Sequence, residues 1–423
     1  MKPEKLRIVL ALFIAGLIGY GIGVSKIALD WKNFQPHLEI TSKEPPPSLM
    51  QADFSQFWLV LNKIETSYYD KEAINSQKII DGAISGMIGS LNDPYTVYLP
   101  PKQNDDFKQG MAGQYGGIGA ELGMKDKQII IVAPLDGSPA QKLGLKAGDA
   151  ILKVNDESTA GWSLNQTVEK IRGPKGTDVL LSIAHKGATE PQDVNLTRDT
   201  ITVKSLTSWT KKIKDIDNID TKTEALAAAA DQKVIYLRLS QFGDQTNKEW
   251  SALAVKLNQQ LQNDKNIKGI VFDLRRNPGG YLNDAVNIVE EFVKDGVAVQ
   301  QENREKERMA YNVRGNGLLT DVPMVVLIDK GSASASEIVA GALQDHKRAL
   351  LVGETSFGKG TIQQAEDLGD TAGLHVTIAK WLTPNGTWVH QKGLKPDVEV
   401  SLKKDQPDRD TQLEKAIEEL LKQ

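Results

Sequence analysis

Two apolar runs, residues 269–274 and 324–329, each stop at a turn of small residues and pass directly into a helix-forming stretch. The first is Gly269-Ile270-Val271-Phe272-Asp273-Leu274. It is followed by Arg275-Arg276-Asn277-Pro278-Gly279-Gly280 and then by Leu282, Ala285, Val286, Val289 and Phe292 at helical spacing. The second is Met324-Val325-Val326-Leu327-Ile328-Asp329. It leads into Gly331-Ser332-Ala333-Ser334-Ala335-Ser336-Glu337 and a small-residue helix carrying Ile338, Val339 and Leu343. Apolar β-branched runs without polar alternation read as strands buried on both faces. Further strands are expected at 234–239 and 349–352, with a helix carrying Trp250, Leu253, Leu257 and Leu261 on one face. Strands alternating with helices constrain residues 200–423 to a sheet covered by helices, an α/β core. Residues 213–232 are polar and then alanine-rich and read as an insertion; residues 413–421 read as a short amphipathic helix.

The turn after the second strand is suited to chemistry. Small residues let the chain bend sharply and leave a side chain exposed, and N–H groups at a helix start are unpaired and can face a developing negative charge. Downstream, Gly353-Glu354-Thr355-Ser356-Phe357-Gly358-Lys359-Gly360 delivers one lysine flanked by glycines. This stretch nearly matches the phosphate-binding pattern G-x-x-x-x-G-K-[ST]. The residue after Lys359 is Gly360, however, so the magnesium-binding hydroxyl is missing, and residues 362–370 make a poor helix. A P-loop nucleotide enzyme is therefore the weaker alternative, alongside a catalytically inactive scaffold.

Acidic and basic residues number 55 and 51 in 423, a balance that gives no nucleic-acid footprint. The absence of cysteine excludes disulfides, thiolate catalysis and cysteine-zinc sites. At the N-terminus, Lys2, Lys5 and Arg7 precede an uncharged apolar run of 17 residues, counted inclusively from 8 to 24. That pattern reads as a membrane anchor or signal sequence over residues 1–26, with the uncleaved anchor favoured and Gly23-Val24-Ser25 a weak cleavage candidate. Positive charge on its amino side places the rest outside the cytoplasm, in a single-pass arrangement. Gly19-x-x-x-Gly23 has the spacing that packs helix pairs, which admits a homodimer through the N-terminal helices. Residues 27–50, with Pro45-Pro46-Pro47, read as an extended tether. A helical region, 51–109, follows: Phe54, Phe57, Trp58, Leu61 and Ile64 form one stripe and Ile80, Ala83, Ile84, Met87 and Leu91 another, before the turn Asn92-Asp93-Pro94-Tyr95.

Residues 110–199 change to short strands and glycine turns. Tyr115-Gly116-Gly117-Ile118-Gly119, the strand 129–132, Ser138-Pro139-Ala140, Gly144-Leu145-Lys146-Ala147-Gly148-Asp149, a helix with Leu164, Val168 and Ile171, and the strand 179–184 follow in that order. This order resembles a PDZ domain. The resemblance implies that Gly116, Gly117, Ile118 and Gly119 present N–H groups to a peptide's terminal carboxylate. Leu164 and Val168 would wall its apolar pocket, and the peptide would add as a strand.

After that region come Asp273-Leu274-Arg275-Arg276-Asn277-Pro278-Gly279-Gly280, the Ser-Ala-Ser-Ala-Ser run, Phe357-Gly358-Lys359-Gly360, and Thr383-Pro384-Asn385-Gly386 with Gly393-Leu394-Lys395-Pro396-Asp397-Val398. Four motifs in this order, over residues 51 to the end, resemble the carboxyl-terminal processing (tail-specific) serine peptidases. The resemblance implies a mixed α/β fold, with a PDZ domain and a protease core of the ClpP/crotonase-like type over 200–423. It implies Ser334 as nucleophile, Lys359 as general base 25 residues on, and Gln363 as helper. It also implies an oxyanion hole from the N–H groups of Ala335 and of Gly279 or Gly280, a supporting position at Asp345, and coupling of peptide binding to proteolysis through Arg172. No cofactor or metal is implied, and the partners are protein C-termini.

The chemistry is consistent with this. A serine hydroxyl needs a base, and an ordinary lysine, titrating near ~10.4, is neutral in only about one molecule in 10³ at pH 7. Burial must strip Lys359 of its proton, a shift that lysine tolerates and arginine does not. A histidine base is the rival: His37 and His185 precede Ser334 in the tether and the PDZ-like region, and His346 and His390 follow it as structural residues.

Overall fold

The computed structural model describes residues 27–32, 35–40, 52–125, 128–135, 137–185, 190–369, 371–403, 406 and 408–423. The expected anchor at 8–24, its cleavage and helix-pairing motifs and Pro45-Pro46-Pro47 lie outside these residues. Among the described residues no helix is long and apolar enough to cross a membrane. The chain divides into two compact units, residues 1–80 and 81–423.

In the first unit, Ile27–Lys32 pairs antiparallel with Gln35–Ile40, so part of the expected tether forms a strand pair. Its helix Ser55–Ser67 follows the predicted stripe, yet Phe54, Phe57, Trp58 and Ile64 are all exposed. The helix Ser76–Gly89 carries the boundary between the units.

The second unit holds the rest. Its PDZ-like part is an antiparallel sheet ordered Gln192–Thr197, Asp178–Ala184, Ala150–Val154, Gln128–Pro134, Ala120–Lys125. Alternation along the strands, shifted by an irregularity between Ile151 and Lys153, buries Ile129, Ile131, Ile151, Val154, Leu181 and Ile183 in one small core. The helix Leu164–Ile171 lies against the edge strand Ala120–Lys125. Its start is fixed by a reciprocal cap: Ser163 N–H donates to Gln166 Oε1 at 2.8 Å and Gln166 N–H to Ser163 Oγ at 3.2 Å.

The core from residue 206 is a six-stranded sheet in the order Leu206–Lys212, Lys233–Leu239, Ile267–Asp273, Met324–Ile328, Leu350–Gly353, Val398–Glu399. All neighbours are parallel except the first pair. Successive side chains alternate between faces. Ile235, Leu237, Ile270, Phe272, Val326 and Ile328 face the helices Thr246–Asn263, Leu282–Phe292 and Ala335–Asp345. Val234, Val271, Val325, Leu327 and Val352 face the terminal helix Thr411–Leu420. Residues 213–232, expected as an insertion, pack into the core. Ile213 and Leu226 are fully buried, and with Ile216 and Ala229 they complete this second layer. A separate antiparallel sheet, Arg308–Asn312, Val297–Asn303, Gly373–Leu382, Thr361–Asp367, also takes in Val97–Leu99 through Gly373–His375. The strand Thr361–Asp367 follows the lysine loop directly, so no helix N-terminus is available there for a nucleotide phosphate.

Candidate active site

The strand Met324–Ile328 ends in a turn that delivers Ser334 as the residue before the helix Ala335–Asp345. Ser334 has φ 54° and ψ −117°. A left-handed φ on a side-chain-bearing residue is strained by about 1–3 kcal/mol and persists only where the surroundings enforce it. Strand, strained serine and helix have the strand–turn–helix arrangement of an elbow of the kind that can mount a nucleophile. The enforcement is visible. Ser332 Oγ donates to Leu274 O at 2.8 Å, Ala333 N–H donates to Asn277 O at 2.9 Å, and Ser336 Oγ donates to the same carbonyl at 2.8 Å.

The Pro278-Gly279-Gly280 turn is pressed against this elbow. A Cβ on Gly279, at φ 95°, would lie 2.8 Å from both Ser334 Cβ and Ala335 N and 2.7 Å from Ala333 O. Glycine is therefore required there. The Gly279 N–H is already engaged, donating to Asn277 Oδ1 at 2.8 Å. Gly280 is exposed, and among the described residues no acceptor meets its N–H or that of Ala335. Of the two expected glycines, Gly280 has the donor available for an oxyanion.

Sequence reasoning passed over the residue that ties this elbow to the lysine loop. Glu337 is fully buried. Its Oε2 accepts the N–H groups of Ser334 at 2.8 Å and Lys359 at 2.9 Å, and its Oε1 accepts Ser356 Oγ and the Gly358 N–H, both at 2.6 Å. One carboxylate thus fixes the Ser334 and Lys359 backbones to a common point, with four charge-assisted hydrogen bonds offsetting its desolvation. The S-x-x-E spacing of Ser334 and Glu337, a helix-start signature, was the available signal. Two indoles hold the loop from outside: Trp381 Nε1 donates to Lys359 O at 2.8 Å and Trp388 Nε1 to Gly360 O at 2.9 Å.

The Lys359 side chain is largely buried. Desolvation pushes its amine below the usual lysine range, while Asp93 and Glu337 pull the other way. Among the described residues no hydrogen bond joins its Nζ to Ser334; the amine instead lies 5.0 Å from the ring centroid of Tyr95. His375, which the sequence reading omitted, is near enough that burial and then the Lys359 charge lower its own pKa. Among the described residues no hydrogen bond joins Gln363 to the amine. Gln363 sits on the strand Thr361–Asp367 and donates to Thr361 Oγ1 at 2.9 Å and Thr377 Oγ1 at 3.1 Å. Asp345 lies at the far end of its helix, about 16 Å along the axis from Ser334 at 1.5 Å per residue. There it accepts the Asn385 N–H at 2.8 Å, a loop contact outside the site.

The peptide groove of the PDZ-like part is a separate cavity of about 100 Å³. Of the expected residues, Gly117, Ile118, Gly119 and Val168 line it, joined by Leu122 and Ile171. Gly116 is instead paired with Thr200 and accepts the Gly173 N–H at 3.2 Å, and Leu164 packs against the small core. Arg172 also lines the groove, its guanidinium 4.5 Å from the Tyr115 ring centroid.

The sequence matches Peptidase family S41 over residues 233–400, a PDZ domain over 130–184 and the N-terminal domain of the activating protease CtpB over 23–102. It is 38% identical to the carboxy-terminal processing protease CtpB of Bacillus subtilis over 371 residues, covering 86% of this chain and 71% of that protein. It is 36% identical to the carboxy-terminal-processing protease of Bartonella bacilliformis over 347 residues, covering 82% and 74%. Among solved structures, the photosystem II D1 C-terminal processing protease shares 31% identity over 82% of this chain and 88% of that one, with a TM-score of 0.49. With a relative at this identity matched over most of its length, the chain belongs to the carboxy-terminal processing proteases of peptidase family S41, serine endopeptidases that carry a PDZ domain.

Proposed function

We propose that this peptidase works by a Ser334–Lys359 dyad on proteins selected by their C-termini, outside the cytoplasm. Lys359, neutral once it reaches the serine, takes the Ser334 proton as the hydroxyl attacks the scissile carbonyl. It then returns that proton to the departing amine, leaving an acyl-enzyme that water hydrolyses with the same lysine as base. The N–H groups of Ala335 and Gly280 face the oxyanion. The observation that carries this reading is the fourfold-bonded Glu337, which holds the amides of Ser334 and Lys359 on one carboxylate.

In the PDZ part, a peptide adds to the edge strand Ala120–Lys125 with its carboxylate at Gly117, Ile118 and Gly119. Its last side chain then enters the apolar groove walled by Leu122, Val168 and Ile171. Arg172, on the groove wall, is placed to register an occupied groove. The basic and apolar N-terminal segment supports a membrane anchor with the protease on the outer side.

Digestion of an unfolded reporter with and without its last three residues, by wild type and Lys359→Ala, tests the proposal. Cleavage should depend on both the tail and the lysine. Tail-independent cleavage removes selection by the C-terminus, and cleavage by Lys359→Ala removes the dyad.

A further inference from the structure

The turn Asn92-Asp93-Pro94-Tyr95, far from the peptidase motifs in sequence, enters the catalytic site. It is rigidly held. Asp93 Oδ1 accepts the Tyr95 N–H at 3.0 Å, Asp93 Oδ2 accepts Thr96 Oγ1 at 2.7 Å, and Thr96 Oγ1 accepts the Thr377 N–H at 3.0 Å. These bonds stitch the turn to the strand Gly373–Leu382. On its other side the Tyr95 ring meets His390 edge to face at 6.0 Å. His390 is stacked on Trp388 at 5.0 Å and 11°. Trp388 in turn donates to Gly360 O beside the lysine. The contacts therefore close a circuit from the lysine loop through Trp388, His390 and Tyr95 back to the Lys359 amine, 5.0 Å from the tyrosine ring centroid.

We propose that Tyr95 is a positioning residue for Lys359, its ring face holding the amine as a cation at rest, so that substrate must draw the amine from the ring to the Ser334 hydroxyl. The inference rests on the dyad reading above. An aromatic face attracts an ammonium through its quadrupole and has no such attraction for a neutral amine. A lysine parked on a ring is therefore held in the form that cannot accept a proton. The other charged and titratable groups facing this amine and ring are Asp93 in the same turn, Glu337 at the nucleophile helix, His375 on the strand and His390. Asp93 and Glu337 also favour the cation, and burial opposes all three. Substrate entry would separate amine and ring, and the balance would tip towards the free base at the serine.

The test measures the amine itself. Trace acylation of Lys359 across a pH series, quantified by peptide mass spectrometry, is compared for the wild-type chain, Tyr95→Phe and Tyr95→Leu, each rate normalised to its own high-pH plateau so that access cancels. Phenylalanine keeps the ring face and should label like wild type. Leucine keeps bulk without the quadrupole, and its normalised rate at neutral pH should rise roughly three- to tenfold. Tyr95→Met serves as a second non-aromatic variant if leucine does not fold. Equal rates in wild type and the non-aromatic variants, or a rise in Tyr95→Phe matching that in leucine, overturn the proposal. The acid limb of kcat/KM reads the dyad separately. If labelling rises in Tyr95→Leu while the limb stays in place, the ring holds the amine but Lys359 is not the base.

Discussion

The peptide groove and the catalytic cleft are assembled in opposite ways. The groove comes from two stretches, 115–122 and 168–172, within one small sheet-and-helix unit, and its walls are largely apolar and in place. The cleft gathers residues 93–96, 277–280, 334–337, 356–363 and 375–390 from five places in the chain. Buried polar bonds, rather than apolar packing, hold it together. A site built locally tolerates change in the rest of the fold, whereas one built from distant turns depends on each fastening. The cleft should accordingly be much the more sensitive of the two.

The largest effects are expected at the proposed dyad. Ser334→Ala and Lys359→Ala should each lower peptide hydrolysis by at least about 10⁴-fold with the melting temperature retained. Below the depressed pKa of Lys359, wild-type kcat/KM should fall about tenfold per pH unit, because the ammonium has no lone pair to accept the serine proton. A rate that rises on acidification contradicts an amine base.

Gly279→Ala sharpens the comparison by intruding on the elbow. With φ 95° and a Cβ 2.8 Å from Ser334 Cβ, it should reduce kcat about 10²- to 10³-fold, read by steady-state kinetics. Glu337→Gln tests the fastening itself. An amide offers one acceptor oxygen where two are used and turns N–H groups towards N–H donors. Denaturant unfolding should show a loss of about 3 kcal/mol together with reduced turnover. A fully stable, fully active Glu337→Gln would break the contrast between the two sites.

In the groove, Val168→Asp should weaken tail-bearing reporters about tenfold in KM while tail-less peptides are cut as before. Asp345→Ala, which removes one loop contact outside both sites, should change turnover by less than about twofold.

What the sequence made legible follows the same divide. Strands such as Met324–Ile328 and helices such as Leu282–Phe292 emerge from periodicity because each buries a continuous face. The elbow and the lysine loop emerge from small residues at turns. The PDZ core was readable from local order, although the roles of Gly116 and Leu164 were not: which glycine faces a groove depends on pairing with Thr200, some 84 residues away. Gln363 illustrates the second difficulty. Its spacing from Lys359 suits a helix, but the segment is a strand and its amide turns to Thr361 and Thr377. Tyr95, Asp93 and the common anchor Glu337 carried no mark of their proximity to Lys359, because only the folded sheets bring them together. Residues 213–232 read as an insertion by composition, yet four apolar side chains spaced through the polar stretch join the terminal helix in the second layer.

The dyad is tested most directly by labelling Ser334 at neutral pH with a peptidyl phosphonate, which fills the cleft as a substrate does and so draws the Lys359 amine to the serine. Stoichiometric labelling in wild type, lost in Ser334→Ala and slowed at least about a thousandfold in folded Lys359→Ala, is the predicted result. Undiminished labelling of Ser334 in Lys359→Ala would contradict it.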